Sequence, residues 1–274
     1  MSIVTAKSAG FCFGVNRAVE TVERCAAEGG KVVTLGPIIH NRHVVDRFDQ
    51  MGIRVIEKPS DANPGDTVII RSHGVSKAVY EELESRGVNI VDATCPFVKR
   101  IHDIVGKAEN EGRIPVIIGT RTHPEVEGIA GWCRNCKVFE SAEELENWFL
   151  TDAISPDLPI SMVCQTTSTE ISWKKSVQIA KKLFTNLKIF DTICRATESR
   201  QREAAQLSAE NQAMVVVGDA KSSNTGRLAM ICREHCKRVV LVDNASELDP
   251  AFFRGATKVG ITAGASTPVL THRP

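Results

Sequence analysis

Three cysteines sit in similar surroundings, about a third of the chain apart. Cys12 lies in Ala9-Gly10-Phe11-Cys12, Cys95 in Asp92-Ala93-Thr94-Cys95 and Cys194 in Asp191-Thr192-Ile193-Cys194; the last two share an Asp-x-x-Cys frame. Thiolate sulfur selects iron–sulfur clusters or zinc. Three protein ligands on a four-iron cluster would leave one iron free for a substrate, the arrangement of a catalytic centre rather than of an electron relay. None of the three belongs to a Cys-x-x-Cys pair, so spacing alone leaves both metals open. It also leaves open three buried structural thiols, a common fate of cysteine.

A second group of residues suits phosphate. His40, His73 and His123 each follow an apolar run of strand length, and Ser222, Ser223, Asn224 and Ser266 follow two more. Imidazoles, hydroxyls and the backbone N–H groups of such loops match phosphate oxygens. No Walker sequence or G-x-G-x-x-G is present, so nucleotide binding is not indicated. Glu125, two residues past His123, is the carboxylate within these loops and could serve as a proton donor. Cys133-x-x-Cys136 has zinc-like spacing, and Cys232-x-x-x-Cys236 would supply a second pair, but no histidine adjoins the first; Cys133 and Cys136 are expected outside the site. Cys25 and Cys164 read as core residues. His43, His102 and His235 lie on charged helical stretches and are expected in solvent.

The elements that must hold these residues alternate. Strand-like runs at Val32–Leu35, Val68–Ile70, Pro115–Ile118, Ser161–Cys164, Met214–Val217 and Val259–Thr262 alternate with helical patterns at Val15–Cys25, Lys77–Ser85, Val98–Asn110, Glu143–Phe149, Lys174–Leu187 and Arg200–Asn211. Alternation of this kind predicts an α/β fold with largely parallel sheets. Ligands of such sheets bind beyond the carboxyl ends of the strands. The six loops there pair up, two to each third of the chain, with one cysteine near each boundary. The reading is three pseudo-repeated βα modules around a central site: residues 13–95, 96–193 and 194–274, with 1–12 packing near the third. One continuous doubly wound sheet is the alternative.

Composition narrows the class. Of 274 residues 42% are hydrophobic, enough for a sizeable core, and the net charge of +1 gives no global field for polyanions. Only 5% are aromatic, which argues against a stacking surface for nucleic acid. Met1–Gly10 reads as a short strand and loop rather than a secretory leader, and no apolar run approaches the roughly 20 residues that span a bilayer. A cytoplasmic protein is expected, in which nine cysteines are thiols, ligands or nucleophiles rather than disulfides.

Taken in order along the chain, the motifs resemble the 4-hydroxy-3-methylbut-2-enyl diphosphate reductase family. They are Ala9-Gly10-Phe11-Cys12-Phe13-Gly14-Val15, Gly36-Pro37-Ile38-Ile39-His40-Asn41, Arg71-Ser72-His73-Gly74, Asp92-Ala93-Thr94-Cys95-Pro96, Thr122-His123-Pro124-Glu125, Gln165-Thr166-Thr167, Asp191-Thr192-Ile193-Cys194, Ser222-Ser223-Asn224 and Thr262-Ala263-Gly264-Ala265-Ser266-Thr267-Pro268. The resemblance implies three α/β modules around one 4Fe–4S cluster held by Cys12, Cys95 and Cys194, with one open iron site. It implies an allylic diphosphate substrate held by His40, His73, His123, Ser222, Ser223, Asn224 and Ser266. Glu125 would deliver protons and Thr166 would orient the substrate hydroxyl. Two electrons from a ferredoxin or flavodoxin would remove that hydroxyl as water, giving isopentenyl and dimethylallyl diphosphate. Ser168-Thr169, Arg195 and Gly218-Asp219-Ala220-Lys221 depart from the family pattern without replacing an expected ligand. The end at Thr271–Pro274 is early, and weaker closure of the last module is expected. Two other readings compete. One is a zinc hydrolase of a phosphorylated substrate; the other is a non-catalytic iron–sulfur regulator, which the charge and aromatic content disfavour.

Overall fold

The structure, a computed structural model, describes residues 1–268; the expectation for residues 271–274 lies outside them. The chain forms two compact units. One comprises Met1–Asn16, Ile39–Gln50 and the chain from Arg195 onward; the other comprises Arg17–Ile38 and Met51–Cys194.

The second unit contains two four-stranded sheets of the same design. In one, β2 (Val32–Leu35), β3 (Arg54–Ile56), β4 (Thr67–Ile70) and β5 (Asn89–Asp92) lie in the order β3-β2-β4-β5. In the other, β6 (Ile114–Ile118), β7 (Lys137–Phe139), β8 (Ile160–Cys164) and β9 (Leu187–Ile189) lie in the order β7-β6-β8-β9. The first unit repeats the design with β10 (Ala213–Val217), β11 (Val239–Val242) and β12 (Lys258–Ala263). Its fourth strand is β1 (Ser2–Thr5), from the start of the chain, in the order β11-β10-β12-β1. Every ladder is parallel, so each sheet needs helical crossovers. The expected α/β class with three parallel sheets is what forms.

Burial explains which strands were legible. β2, β8 and β10 are buried along their whole length, the continuous apolar signature of a central parallel strand. β3, β5, β7, β9 and β11 are short outer strands with partly exposed residues, and apart from β11, which reads Val-Val-Leu-Val, their sequences carry no such run. The helices are α1 (Phe13–Glu28), α2 (Arg42–Gln50), α3 (Lys77–Ser85), α4 (Pro96–Asn110), α5 (Pro124–Ala130), α6 (Ala142–Thr151), α7 (Glu170–Leu183), α8 (Arg195–Glu210) and α9 (Ser223–His235). The expected helix to Leu187 stops four residues earlier. Phe184 turns to an extended conformation to pack against Trp148 and Phe149, and Leu187 opens β9. Helices α4 and α5 cover one face of β6 and β8 through Ile101, Val105, Val126 and Ile129, which meet Ile117 and Val163.

His102 corrects the sequence reading. It is 3% exposed on the inner face of α4, with its ring stacked on Trp132 at a centroid distance of 5.1 Å. The charged neighbours that suggested a solvated face occupy the other side of the helix. His235 is exposed as expected; His43 is half-exposed, with Nε2 3.3 Å from Asp243 Oδ2. Cys25 and Cys164 are buried, and burial pushes the Cys164 thiol up to about 12.

Candidate active site at the strand ends

Each of the three cysteines ends the segment leaving the fourth strand of a sheet and opens a helix. β5 leads to Cys95 and α4, β9 to Cys194 and α8, β1 to Cys12 and α1. Each cysteine N–H donates to the carbonyl two residues past the end of the third strand. Cys95 bonds to Ser72 O at 3.0 Å, Cys194 to Thr166 O at 3.0 Å and Cys12 to Ala265 O at 3.1 Å. The repeat is therefore written in the hydrogen bonding, although it is faint in sequence.

The Asp-x-x-Cys frame has a local cause. Asp92 Oδ1 accepts from the Thr94 N–H at 2.9 Å and Asp191 Oδ1 from the Ile193 N–H at 3.3 Å, a side-chain-capped turn just before each cysteine. Arg17 braces the first of these loops, donating to Thr94 O at 3.1 Å and Asp92 O at 3.3 Å. The loop before Cys12 is held differently. Arg200 donates to Gly10 O at 2.7 Å, and the Glu203 carboxylate accepts from the N–H groups of Lys7 and Ser8 at 2.7 and 2.9 Å. Burial alone would raise the Glu203 carboxyl, but these bonds and the Ser8 hydroxyl hold it below its ordinary value. Sequence reasoning missed Arg17, Arg200 and Glu203, because each partner lies far along the chain and no local spacing announces it.

The remaining loops repeat as well. Gly36, Gly119 and Gly218 follow the first strand of each sheet, and their N–H groups reach Ile56, Phe139 and Val242 carbonyls at 2.8, 2.9 and 2.8 Å. A helix start follows in each case. Asn41, beside His40, accepts from the Val44 N–H at 3.1 Å; the His123 ring and the Ser222 hydroxyl cap α5 and α9. Two of the expected phosphate residues, His123 and Ser222, are thus cap residues, placed where N–H groups point outward.

In the first unit, Ser266 Oγ donates to His40 O at 2.9 Å and lies 3.4 Å from Ser222 Oγ, which joins three of the named residues. Asn224, in the first turn of α9, is 4% exposed, and neither atom of its carboxamide has a partner among the described residues. A buried amide is normally satisfied, so this one is poised for an external group.

In the second unit, the rings of His73 and His123 meet edge to face at 5.5 Å. His123 Nδ1 accepts from the Glu125 N–H at 3.1 Å, which puts the ring proton of a neutral imidazole on Nε2. Glu125 is 2% exposed. Thr166 grips both its oxygens, with the N–H donating to Oε1 at 2.6 Å and the hydroxyl to Oε2 at 2.7 Å. Gln165, fully buried, ties the two loops together by accepting from the Thr120 N–H at 3.2 Å. Gly119 is required there, because a Cβ would lie 2.8 Å from Val126 Cγ2 and 2.9 Å from Gln165 Cβ.

As a donor set, Cys12, Cys95 and Cys194 are half-buried thiols at helix starts, where an anionic ligand is favoured. That chemistry fits an iron–sulfur group. Cys133 and Cys136 instead follow the end of α5, and Cys232 and Cys236 are buried in the core of the first unit.

The description "LytB protein" belongs to the family model that matches residues 3–272. A 4-hydroxy-3-methylbut-2-enyl diphosphate reductase of Caldanaerobacter subterraneus subsp. tengcongensis is 42% identical over 98% of this chain and 93% of its own. The protein of that name from Aquifex aeolicus is 40% identical over 98% of this chain and 92% of its own. Among solved structures, the E-1-hydroxy-2-methyl-but-2-enyl-4-diphosphate reductase of Plasmodium falciparum superposes with a TM-score of 0.93. It is 27% identical, over 98% of this chain and 85% of that one. With the family model and these relatives spanning nearly its whole length, the chain belongs to the LytB family of 4-hydroxy-3-methylbut-2-enyl diphosphate reductases.

Proposed function

We propose that the protein reduces 4-hydroxy-3-methylbut-2-enyl diphosphate, a reaction of isoprenoid biosynthesis. The allylic hydroxyl leaves as water, two electrons and two protons are consumed, and isopentenyl and dimethylallyl diphosphate are released. The observation that carries this reading is the position of Thr166. Its N–H and hydroxyl fix a buried carboxyl group, and its carbonyl takes the N–H of Cys194. One residue thereby ties a proton source to a candidate ligand of a redox group.

Cys12, Cys95 and Cys194 would hold one 4Fe–4S cluster with an open iron site, and the cluster would supply the electron transfer. The diphosphate is bound by His40, His73, His123, Ser222, Ser223, Asn224 and Ser266. The unpartnered carboxamide of Asn224, the Nε2–H of His123 and the outward N–H groups at the start of α9 support that assignment. Glu125 holds the proton and passes it toward the departing hydroxyl, while Thr166 orients both. Each Glu125 oxygen accepts one hydrogen bond from Thr166, and a carboxylate oxygen can accept more than one. The chain reads as three modules, 13–95, 96–193 and 194–274, with residues 1–12 completing the third. The electron donor is a ferredoxin or flavodoxin and the enzyme works in the cytoplasm; among the described residues no helix is long and apolar enough to cross a membrane.

Anaerobically purified protein, given the substrate and a chemical reductant, should release both five-carbon diphosphates. A preparation with its full iron content that leaves the substrate intact would overturn the reading.

A further inference from the structure

Two of the nine cysteines are neither buried in a core nor assigned to the cluster. Cys133 and Cys136 are both half-buried, on the loop that leaves α5, and pack against the core beneath α4 and α5. Their Sγ atoms share one acceptor, each lying 3.5 Å from Ala130 O. The residues between them are fixed in a turn. The Glu109 carboxylate accepts from the N–H groups of Arg134 and Asn135 at 2.6 and 3.0 Å. Cys133 also lines a cleft of about 740 Å³, bounded by Lys77, Glu81, Glu109, Trp132 and Arg134. A cleft of that size takes a small molecule, and its mixed charges suit a zwitterionic one.

We propose that Cys133 and Cys136 are a redox-active dithiol that closes to an intramolecular disulfide by exchange with a low-molecular-weight, amino-acid-derived disulfide bound in this cleft. Cys133 is the cysteine of the pair that lines the cleft, so it is the attacking sulfur. Its thiolate forms a bond to one sulfur of the small disulfide, the S–S bond of that molecule breaks, and the first small thiolate leaves. Cys136 gives its proton to that leaving thiolate and attacks Cys133 Sγ, and the second small thiolate departs and takes a proton from water. The pair loses two electrons, the small disulfide gains them, and two small thiols result. The inference does not rest on the proposed reductase activity.

The test is thiol mapping of the anaerobic holoenzyme after equilibration with reduced and oxidised glutathione. Samples are quenched in acid, alkylated and digested with trypsin, which cleaves after Arg134. In oxidising mixtures the Cys133 and Cys136 peptides should be found joined, while Cys25, Cys164, Cys232 and Cys236 are recovered alkylated; dithiothreitol should reverse the link. Cys136→Ser should stall with glutathione on Cys133, and Cys133→Ser should lose the reaction at Cys136. Recovery of both cysteines as free thiols in every mixture would overturn the proposal. So would a link from either to a different cysteine, or a Cys136→Ser protein that takes up no glutathione at Cys133.

Discussion

A carboxyl group that passes protons needs a fixed orientation, and Thr166 supplies it to Glu125 through both oxygens at 2.6 and 2.7 Å. Glu125→Gln keeps the size of the side chain but has no acidic proton. Loss of general acid assistance costs on the order of 10²–10⁴ in rate. The variant should therefore keep its iron, bind the diphosphate and turn over that much more slowly, as single-turnover kinetics under anaerobic conditions would read. Near-normal turnover would move the proton source elsewhere. The residues proposed for the site could be picked out in the sequence because cysteines, histidines and a carboxylate gather in the loops that follow apolar strands. Their supports could not: Arg17, Arg200 and Glu203 are ordinary charged helix residues until the fold brings Thr94, Gly10 and Ser8 to them.

At the scale of elements, a strand end, a glycine and a cap residue recur in each sheet. The glycine is the tightest fit. Gly119→Ala sets a Cβ 2.8 Å from Val126 Cγ2 and 2.9 Å from Gln165 Cβ, so α5 or the Gln165 loop has to move. Overpacking of this kind costs about 1–3 kcal/mol. Thermal unfolding should show a lower midpoint, and turnover should fall as well, because Glu125 rides on α5; an unshifted midpoint would mean that the loops are slack. The central strands and most helices were legible because burial on both faces leaves unbroken apolar runs. The outer strands, three or four residues long and half in solvent, leave none, except β11, which reads Val-Val-Leu-Val. His102 was misread for a related reason, since charged neighbours on α4 masked its inward face. Burial drives its imidazole down to about 4, against about 6.5 when exposed, with Asp92 and Asp103 opposing the shift. The unfolded chain then binds the extra proton between those values, so this contribution to stability is complete above pH 6.5 and lost as the pH falls toward 4. His102→Gln should flatten the fall in unfolding midpoint between pH 7 and pH 5 relative to the unaltered protein. An identical slope would show that His102 does not titrate as assigned.

Over the whole molecule, three sheets share one strand order, and the third borrows its last strand from the start of the chain. That borrowing explains why the repeat is hard to see in sequence: the strand that leads to Cys12 lies at the start of the chain, whereas the other three strands of its sheet begin only at Ala213. It also explains why Cys12 lacks the aspartate turn of the other two, its loop being held by α8 instead. The central claim is that Cys12, Cys95 and Cys194 together hold one cluster, and iron and acid-labile sulfide analysis of anaerobically purified protein tests it most directly. The unaltered protein should carry about four irons and four sulfides per chain. Replacement of any one of Cys12, Cys95 or Cys194 by alanine should strip most of both, whereas Cys133→Ser and Cys136→Ser should leave them unchanged. A full complement of iron and sulfide in the Cys12, Cys95 or Cys194 variant, or its loss on changing Cys133 or Cys136, would contradict the account.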